Sequence, residues 1–402
     1  MARCLIGVAV IAFGIAGTAF GQDPYLPLQQ NKPAVMPEPA PCFESPLATM
    51  PARPAFMPDT PNSLPANTIN AWCDEYCAPP AIYVQLGYLG LMREKLNRRP
   101  VALPDNVNGG VDTGGLPDLT AAPVADFRDI EPRMGSGVRA TIGCHWDSYA
   151  LEASGFYIAQ SQASKTYADP GRLTSFFNVN GNVFVFPLGF EGNNGMWLQD
   201  DIIRTSLQTS LGSGEVNFKF WPHVFGEVNM LVGVRYLDIY ERVGIFAGDD
   251  DLTAVDANGN PNPVLQANYT ATAHNRIVGG QLGVEWNKPI TWWLAYSMVV
   301  KGAWGVNLLD VNTQLTRGDG FQGPAGHYST TNFSHLYEAG FFFNFPLKDN
   351  IHVRAGYNLL WVLDITEATD VVDFNLANTG GRHDPHGSSF YHGPSVEFQI
   401  LF

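Results

Sequence analysis

The chain has 402 residues, of which 15% are charged and 12% aromatic, with 41 glycines and 29 prolines. Its formal net charge of −15 provides no basic stripe to neutralise phosphates, which excludes nucleic acid as a partner. The charge-poor, Gly-rich mixture suits neither a helical nor a wholly disordered protein. It suits many strands joined by turns.

The first 21 residues read as a secretory leader. Arg3 supplies a basic start, Leu5 to Phe20 an apolar run, and Ala19 and Gly21 the small residues before a cut at Gln22. Cys4 precedes that run, which argues against a lipoprotein. After export Cys42, Cys73, Cys77 and Cys144 remain, and Cys73 with Cys77 could close a small disulfide loop in an oxidising compartment. Residues 22–80 hold fourteen of the 29 prolines. Such a stretch buries too little apolar area to offset its ordering entropy, so a disordered periplasmic arm is expected.

From about residue 82 the pattern becomes period-2. Weaker strand candidates are 82–92, 137–146, 149–160 and 205–220. Val228, Met230, Val232, Val234 and Tyr236 alternate with Glu227, Asn229, Gly233 and Arg235. Val278, Leu282, Val284 and Trp286 alternate with Gln281 and Glu285. The clearest run sets Trp292, Leu294, Tyr296, Met298, Val300, Trp304, Val306 and Leu308 against Ser297, Val299, Lys301, Ala303 and Asn307. Phe333, Tyr337, Phe341 and Phe343 oppose Ser334, Glu338 and Asn344, and Ile351, Val353, Tyr357 and Trp361 oppose His352, Arg354 and Asn358. Such faces meet either a second sheet or lipid.

The connections decide. Segments 221–225, 287–291 and 346–350 are short, whereas 241–267, 309–331 and 363–388 read as long loops. Alternating short and long connections are the habit of outer-membrane barrels. The chain ends on Val396, Phe398, Ile400 and the terminal aromatic Phe402, alternating with Ser395, Glu397 and Gln399. That strand has the form that the bacterial barrel-assembly machinery recognises. The expectation is an all-β, transmembrane, antiparallel up-and-down barrel over 81–402, set in outer-membrane lipid. Residues 161–203 form either one external loop or a further strand pair, giving ten strands or twelve, with ten preferred.

Several segments resemble the beta-barrel porin 7 family, outer-membrane proteins found mainly in planctomycetes. They are Arg172-Leu-Thr-Ser-Phe-Phe-Asn178, Gly214-Glu-Val-Asn-Phe-Lys219, Leu231-Val-Gly-Val-Arg-Tyr236 followed by Glu241, Asn275-Arg-Ile-Val-Gly-Gly-Gln-Leu-Gly283, and Ala355-Gly-Tyr-Asn-Leu-Leu-Trp361. The resemblance implies an outer-membrane barrel and little about cargo.

No Gly-x-Ser-x-Gly elbow, His-Glu-x-x-His pair or phosphate-cradling loop is present, so neither an enzyme nor a cofactor is expected. Asp249 to Asp251 and the Asp256 loop read as solvated acids. Pro261 stands where a calcium loop needs its turn glycine. His383, Asp384 and His386 are read as incidental, so no metal is expected. The strand phases put Arg139, Glu152, Glu215, Lys219, Glu227, Arg235, Glu285, Lys301, Glu338, Arg354 and Glu397 in the lumen, six acids against five bases. Selective pores display rings of one sign, whereas mixed charges in a narrow barrel pair with one another. Lys219 is the expected neighbour of Glu227, and Glu285 that of Arg235. Passage of small solutes is the first expectation; a closed structural or surface-interaction barrel is the alternative, and an outer-membrane enzyme a distant third.

Overall fold

The computed structural model describes residues 81–104, 122–146, 148–178, 186–190, 196–221, 228–249, 262–376 and 386–402. The expected leader, the arm, Cys73, Cys77, Glu227, the Asp256 loop, His383 and Asp384 lie outside these residues.

The strands are β1 (Ala81–Arg93), β2 (Pro100–Pro104), β3 (Ala125–Asp126), β4 (Gly135–His145), β5 (Tyr149–Ser175), β6 (Asp200–Phe220), β7 (Val228–Gly248), β8 (Gln266–Thr291), β9 (Leu294–Arg317), β10 (Gln322–Lys348), β11 (Ile351–Ile365) and β12 (Gly387–Leu401). Among the described residues one short α-helix, α1, covers Ala368–Val371. All twelve strands belong to one antiparallel sheet. From β4 to β12 each strand pairs with the next, and β1 joins β12 to β4, so ten strands close the ring. The short β2 and β3 are appended to the far end of β5. Among the described residues no helix is long and apolar enough to cross a membrane.

The pleat sorts the side chains. On β9, Val300, Trp304, Val306 and Leu308 are exposed on the outside, while Val299, Ala303 and Asn307 are buried inside. Val278, Leu282 and Val284 on β8 and Phe333, Tyr337, Phe341 and Phe343 on β10 continue the same outer belt. From Val278 to Trp286 the belt runs along the strand for roughly 25 Å at the usual rise per residue, the height of a bilayer's apolar band.

The ring is lopsided. β4 has 11 residues and β1 has 13, whereas β5 and β10 have 27 each and β8 has 26. Spanning a bilayer takes about 9–11 residues, so β5 to β10 rise far above it as a tall wall. This corrects three loop boundaries. The segment 309–331 is the top of β9 and β10 with a tight turn between Arg317 and Gln322; 161–203, by sequence a loop or a strand pair, is strand up to Ser175 and again from Asp200; and 241–267 is strand up to Gly248 and again from Gln266. The reason is a reversal of phase. Within the membrane the apolar residues of β9 point outward, up to Leu308; from Leu309 onward they point inward, as Leu309, Val311 and Leu315, and Asp310 and Asn312 face out. The same reversal falls at Tyr236-Leu237 on β7 and at Ile277-Val278 on β8.

Short connections at 146–148, 292–293 and 349–350 share one end of the ring with Ala81 and Phe402. By the usual rule that end faces the periplasm. The described residues of the longer connections, 94–99, 127–134, 176–178, 186–190, 196–199, 262–265 and 366–376, lie at the other end.

Candidate functional site

The lumen is the candidate site, and it is built in layers. Nearest the short-turn end lies an ionic layer. Lys219 of β6 donates to Glu152 at 2.8 Å and to Glu285 at 3.2 Å, and Tyr83 of β1 donates to Glu152 at 2.6 Å. Gly143 permits this, because a Cβ there would stand 2.2 Å from the Tyr83 ring. Beside this group, Arg235 of β7 donates to Glu338 at 2.5 Å and to Ser213 at 3.1 Å, and lies 3.7 Å from Glu215. Lys301 donates to Glu215 at 2.5 Å, and Arg139 lies 3.3 Å from Glu397 and 3.8 Å from Glu338. Gln281 bridges Glu215 and Asn217, and Gln85 donates to Glu397. Arg354 lies over the Phe342 ring at 3.5 Å, where Gly356 leaves the space that ring needs.

Five acids therefore face five bases in this layer. Burying such charges is costly unless each finds a partner; nine of the ten are ion-paired, and Arg354, its Nε buried without an acceptor, rests on the Phe342 ring instead. The space left between them is a polar cavity of about 60 Å³, room for only about four to six waters at roughly 10–15 Å³ each.

Above the ionic layer the lumen is crossed by an apolar septum. Leu89 and Leu91 of β1, Phe156 and Ile158 of β5, Leu211 of β6, Leu237 and Ile239 of β7, Ile277 of β8, Leu336 of β10, Leu360 and Val362 of β11 and Tyr391 of β12 form one buried cluster. With Ala303 of β9, the cluster draws on nine of the ten strands of the ring.

Above the septum the segment after β11 turns inward as a plug. Asp364 adopts φ +55° at a bulge between Leu363 and Ile365, a left-handed conformation that Asp tolerates better than most residues. The chain then carries Thr366, Glu367, α1 and Val372 into the barrel, where Ala368, Val371 and Val372 are fully buried. They join Leu96, Val101, Phe127 and Ile130 from the β1–β4 segment, Phe177, Phe190 and Trp197 from 176–199, and the inner face of the tall wall. Arg93 ties the plug to the ring. Its Nε lies 2.6 Å from Glu241 and its Nη2 lies 3.2 Å from Glu367, while Tyr391 donates to Glu241 at 3.2 Å. Asn275 donates to the carbonyl of Thr366 at 2.9 Å, and Arg99 donates to the carbonyls of Thr369 and Val372. Burial pushes the Glu367 carboxyl up to about 7, with Glu241 and Asp370 adding to the rise and Arg93 opposing it.

Of the eleven charged residues placed in the lumen from sequence, ten line this interior; Glu227 lies outside the described residues. The expected pairing of Arg235 with Glu285 does not form: Arg235 meets Glu338 and Glu215, and Glu285 meets Lys219. The register sets this, since Glu215 is directly opposite Arg235 while Glu285 is opposite Asn229, three pleats toward the short-turn end. Sequence reading missed Arg93, Glu241 and Glu367. The signal was there: the reversed phase of β7 turns Glu241 inward beside Val243. Of the assembly residues, Val396, Phe398, Ile400 and Phe402 are all exposed on the outer face or end of β12. Cys144 is disulfide-bonded. His386 lies 3.6 Å from Asp364, but among the described residues no group of three or more His, Cys, Asp or Glu is placed to hold a metal.

Residues 83–399 match the family described as "Putative beta barrel porin-7". The chain belongs to that family. It is an outer-membrane β-barrel, and the ring, the belt and the lumen above are one member's version of it. No curated protein sequence matches it. Among solved structures it is similar to the outer membrane protease OmpT of Escherichia coli, at 11% identity and a TM-score of 0.38 over 80% of this chain and 97% of that one. It is also similar to the toluene transporter TodX of Pseudomonas putida, at 11% identity and 0.29 over 81% and 91%. The translocator domain of the autotransporter NalP of Neisseria meningitidis gives 12% and 0.31 over 80% and 88%. At these scores none of the three bears on what this chain does.

Proposed function

We propose that this porin-7 family member is a closed outer-membrane barrel, carrying a tall, plugged wall on the outer side as its working surface, and is neither an open pore nor an enzyme. The observation that carries this reading is the apolar septum. Ions and hydrated solutes cross a dry apolar layer only at the full cost of desolvation. The paired ionic layer below and the plug above close the same path twice more. Passage of small solutes, the expectation from sequence, would need all three layers to move.

On the same reading the chain is exported by its N-terminal leader, the 22–80 arm stays in the periplasm, and β12 from Val396 to Phe402 engages the barrel-assembly machinery. The tall wall, with its loops, is the part offered to partners outside. A liposome-swelling assay tests the closed lumen. Proteoliposomes should swell in arabinose or glycine no faster than protein-free ones, and swelling that scales with the amount of protein would overturn the proposal.

A further inference from the structure

On the outer face of the tall wall, the row Tyr236, Val278, Val306 and Phe333 runs side by side across β7 to β10 and is the last apolar row on all four strands, with Leu308 alone continuing the belt one row higher. The next row up holds Asp238, Arg276 and Leu308; the one above it Tyr240, His274 and Asp310; the third Arg242, Thr272, Asn312 and His327. Both acids in these rows are occupied by histidines. His274 lies 2.6 Å from Asp238, and His327 lies 3.3 Å from Asp310.

The two arginines have no such partner. Among the described residues no carboxylate lies within 4 Å of Arg242 or Arg276. Asp238, directly across from Arg276, is turned instead to His274. The Nε of Arg276 is buried without an acceptor. An unpaired guanidinium, partly buried and aligned at the edge of an apolar belt, is out of character in a chain of net charge −15.

Depth decides what the arginines face. Arg276 stands two residues above Val278, roughly 7 Å along the strand, where the hydrocarbon gives way to headgroups. Arg242 stands about three rows higher than the belt, so the two cations span a long headgroup. Beside the two histidine-held acids, the outward side chains around and above them include the neutral hydrogen-bonding groups Ser210, Gln208, Thr272, Asn312 and Ser329. Guanidinium forks suit phosphate oxygens, and such a neutral lawn suits hydroxyls.

We propose that Arg276 and Arg242 form a binding site for the phosphate-bearing headgroup of an outer-leaflet lipid. Arg276 takes the phosphate nearest the acyl chains and Arg242 an anionic group farther out. His274 and Tyr240 lie between them.

The test uses the full chain in nanodiscs of equal parts phosphatidylcholine and phosphatidylglycerol, with native mass spectrometry to identify the lipids that stay bound after release. Wild type should retain phosphatidylglycerol over phosphatidylcholine by roughly fivefold or more. The Arg242→Gln/Arg276→Gln pair should fall to near parity, and Arg276→Lys should keep part of the preference. Lys348→Gln, at the opposite rim, should keep all of it. Heat-modifiable migration on gels confirms that each variant is folded, and Arg276→Gln alone stands in if the pair is not. No preference in wild type would overturn the site, as would an undiminished preference in the folded double variant or its loss in Lys348→Gln.

Discussion

Arg93 and Glu367 meet 3.2 Å apart in the upper lumen, and the same guanidinium also holds Glu241 at 2.6 Å. One buried cation therefore serves two buried carboxylates, one on the ring and one on the plug. Such a group is short of one positive charge, and a proton supplies it most cheaply.

A pH dependence follows. The Glu367 carboxyl is raised from 4.5 to about 7 in the fold, so the folded state keeps a proton that the unfolded chain has lost. Stability tied to this group is full below the unfolded value and is lost as pH rises through about 7. Thermal unfolding in detergent should come at lower temperature near pH 8 than near pH 5.5. In Glu367→Gln that difference should shrink. An unchanged difference in the variant would assign it to other groups.

The lower ionic layer predicts a different cost. Arg235 is fully enclosed between Glu338 and Glu215, so Arg235→Ala leaves carboxylates short of a partner and should cost about 3 kcal/mol or more. Arg204→Ala, on the exposed outer face of β6, should cost well under 1 kcal/mol. Urea midpoints in liposomes compare them. Equal midpoints would mean that the layer is hydrated rather than packed.

The phase reversal on β9 can be probed on one face. Val300 and Asn312 both point outward, one in the apolar belt and one above it. Val300→Arg should cost about 2–4 kcal/mol, as a cation near the bilayer midplane does, and Asn312→Arg almost nothing. A similar loss at both positions would put the top of β9 in the membrane and remove the tall wall.

Assembly is tested at the chain end. The Phe402 amide donates to the Ile82 carbonyl at 2.8 Å, so β12 stays paired with β1 to its last residue while the ring of Phe402 is exposed. Deleting Phe402 should lower the folded, heat-modifiable fraction recovered from membranes well below wild type. Recovery equal to wild type would separate the terminal aromatic from assembly.

Much of the ring was legible from the sequence, because lipid on one side and a polar lumen on the other force a strict alternation on each strand. Val278 to Trp286 and Val300 to Leu308 show it plainly, and the C-terminal strand repeats it. The tall wall was not legible by the same rule. At Leu308-Leu309 the solvent on the two faces exchanges character, and a pattern that keeps its period but flips its phase reads as a broken strand followed by a polar loop. The pairing of Arg235 with Glu338 lay beyond sequence for another reason. Glu338 sits on β10, three strands from β7, and only the curvature of a narrow barrel brings the two together across the lumen.

A closed lumen carries no ions, and single-channel recording in planar bilayers reads this without an intermediary. Full-length protein, confirmed as inserted by protease protection, should leave the bilayer at its baseline current in molar salt at neutral pH. Steady conductance steps that grow in number with added protein would contradict it, and would mean that the septum around Leu237, Ile277 and Leu336 is open to water.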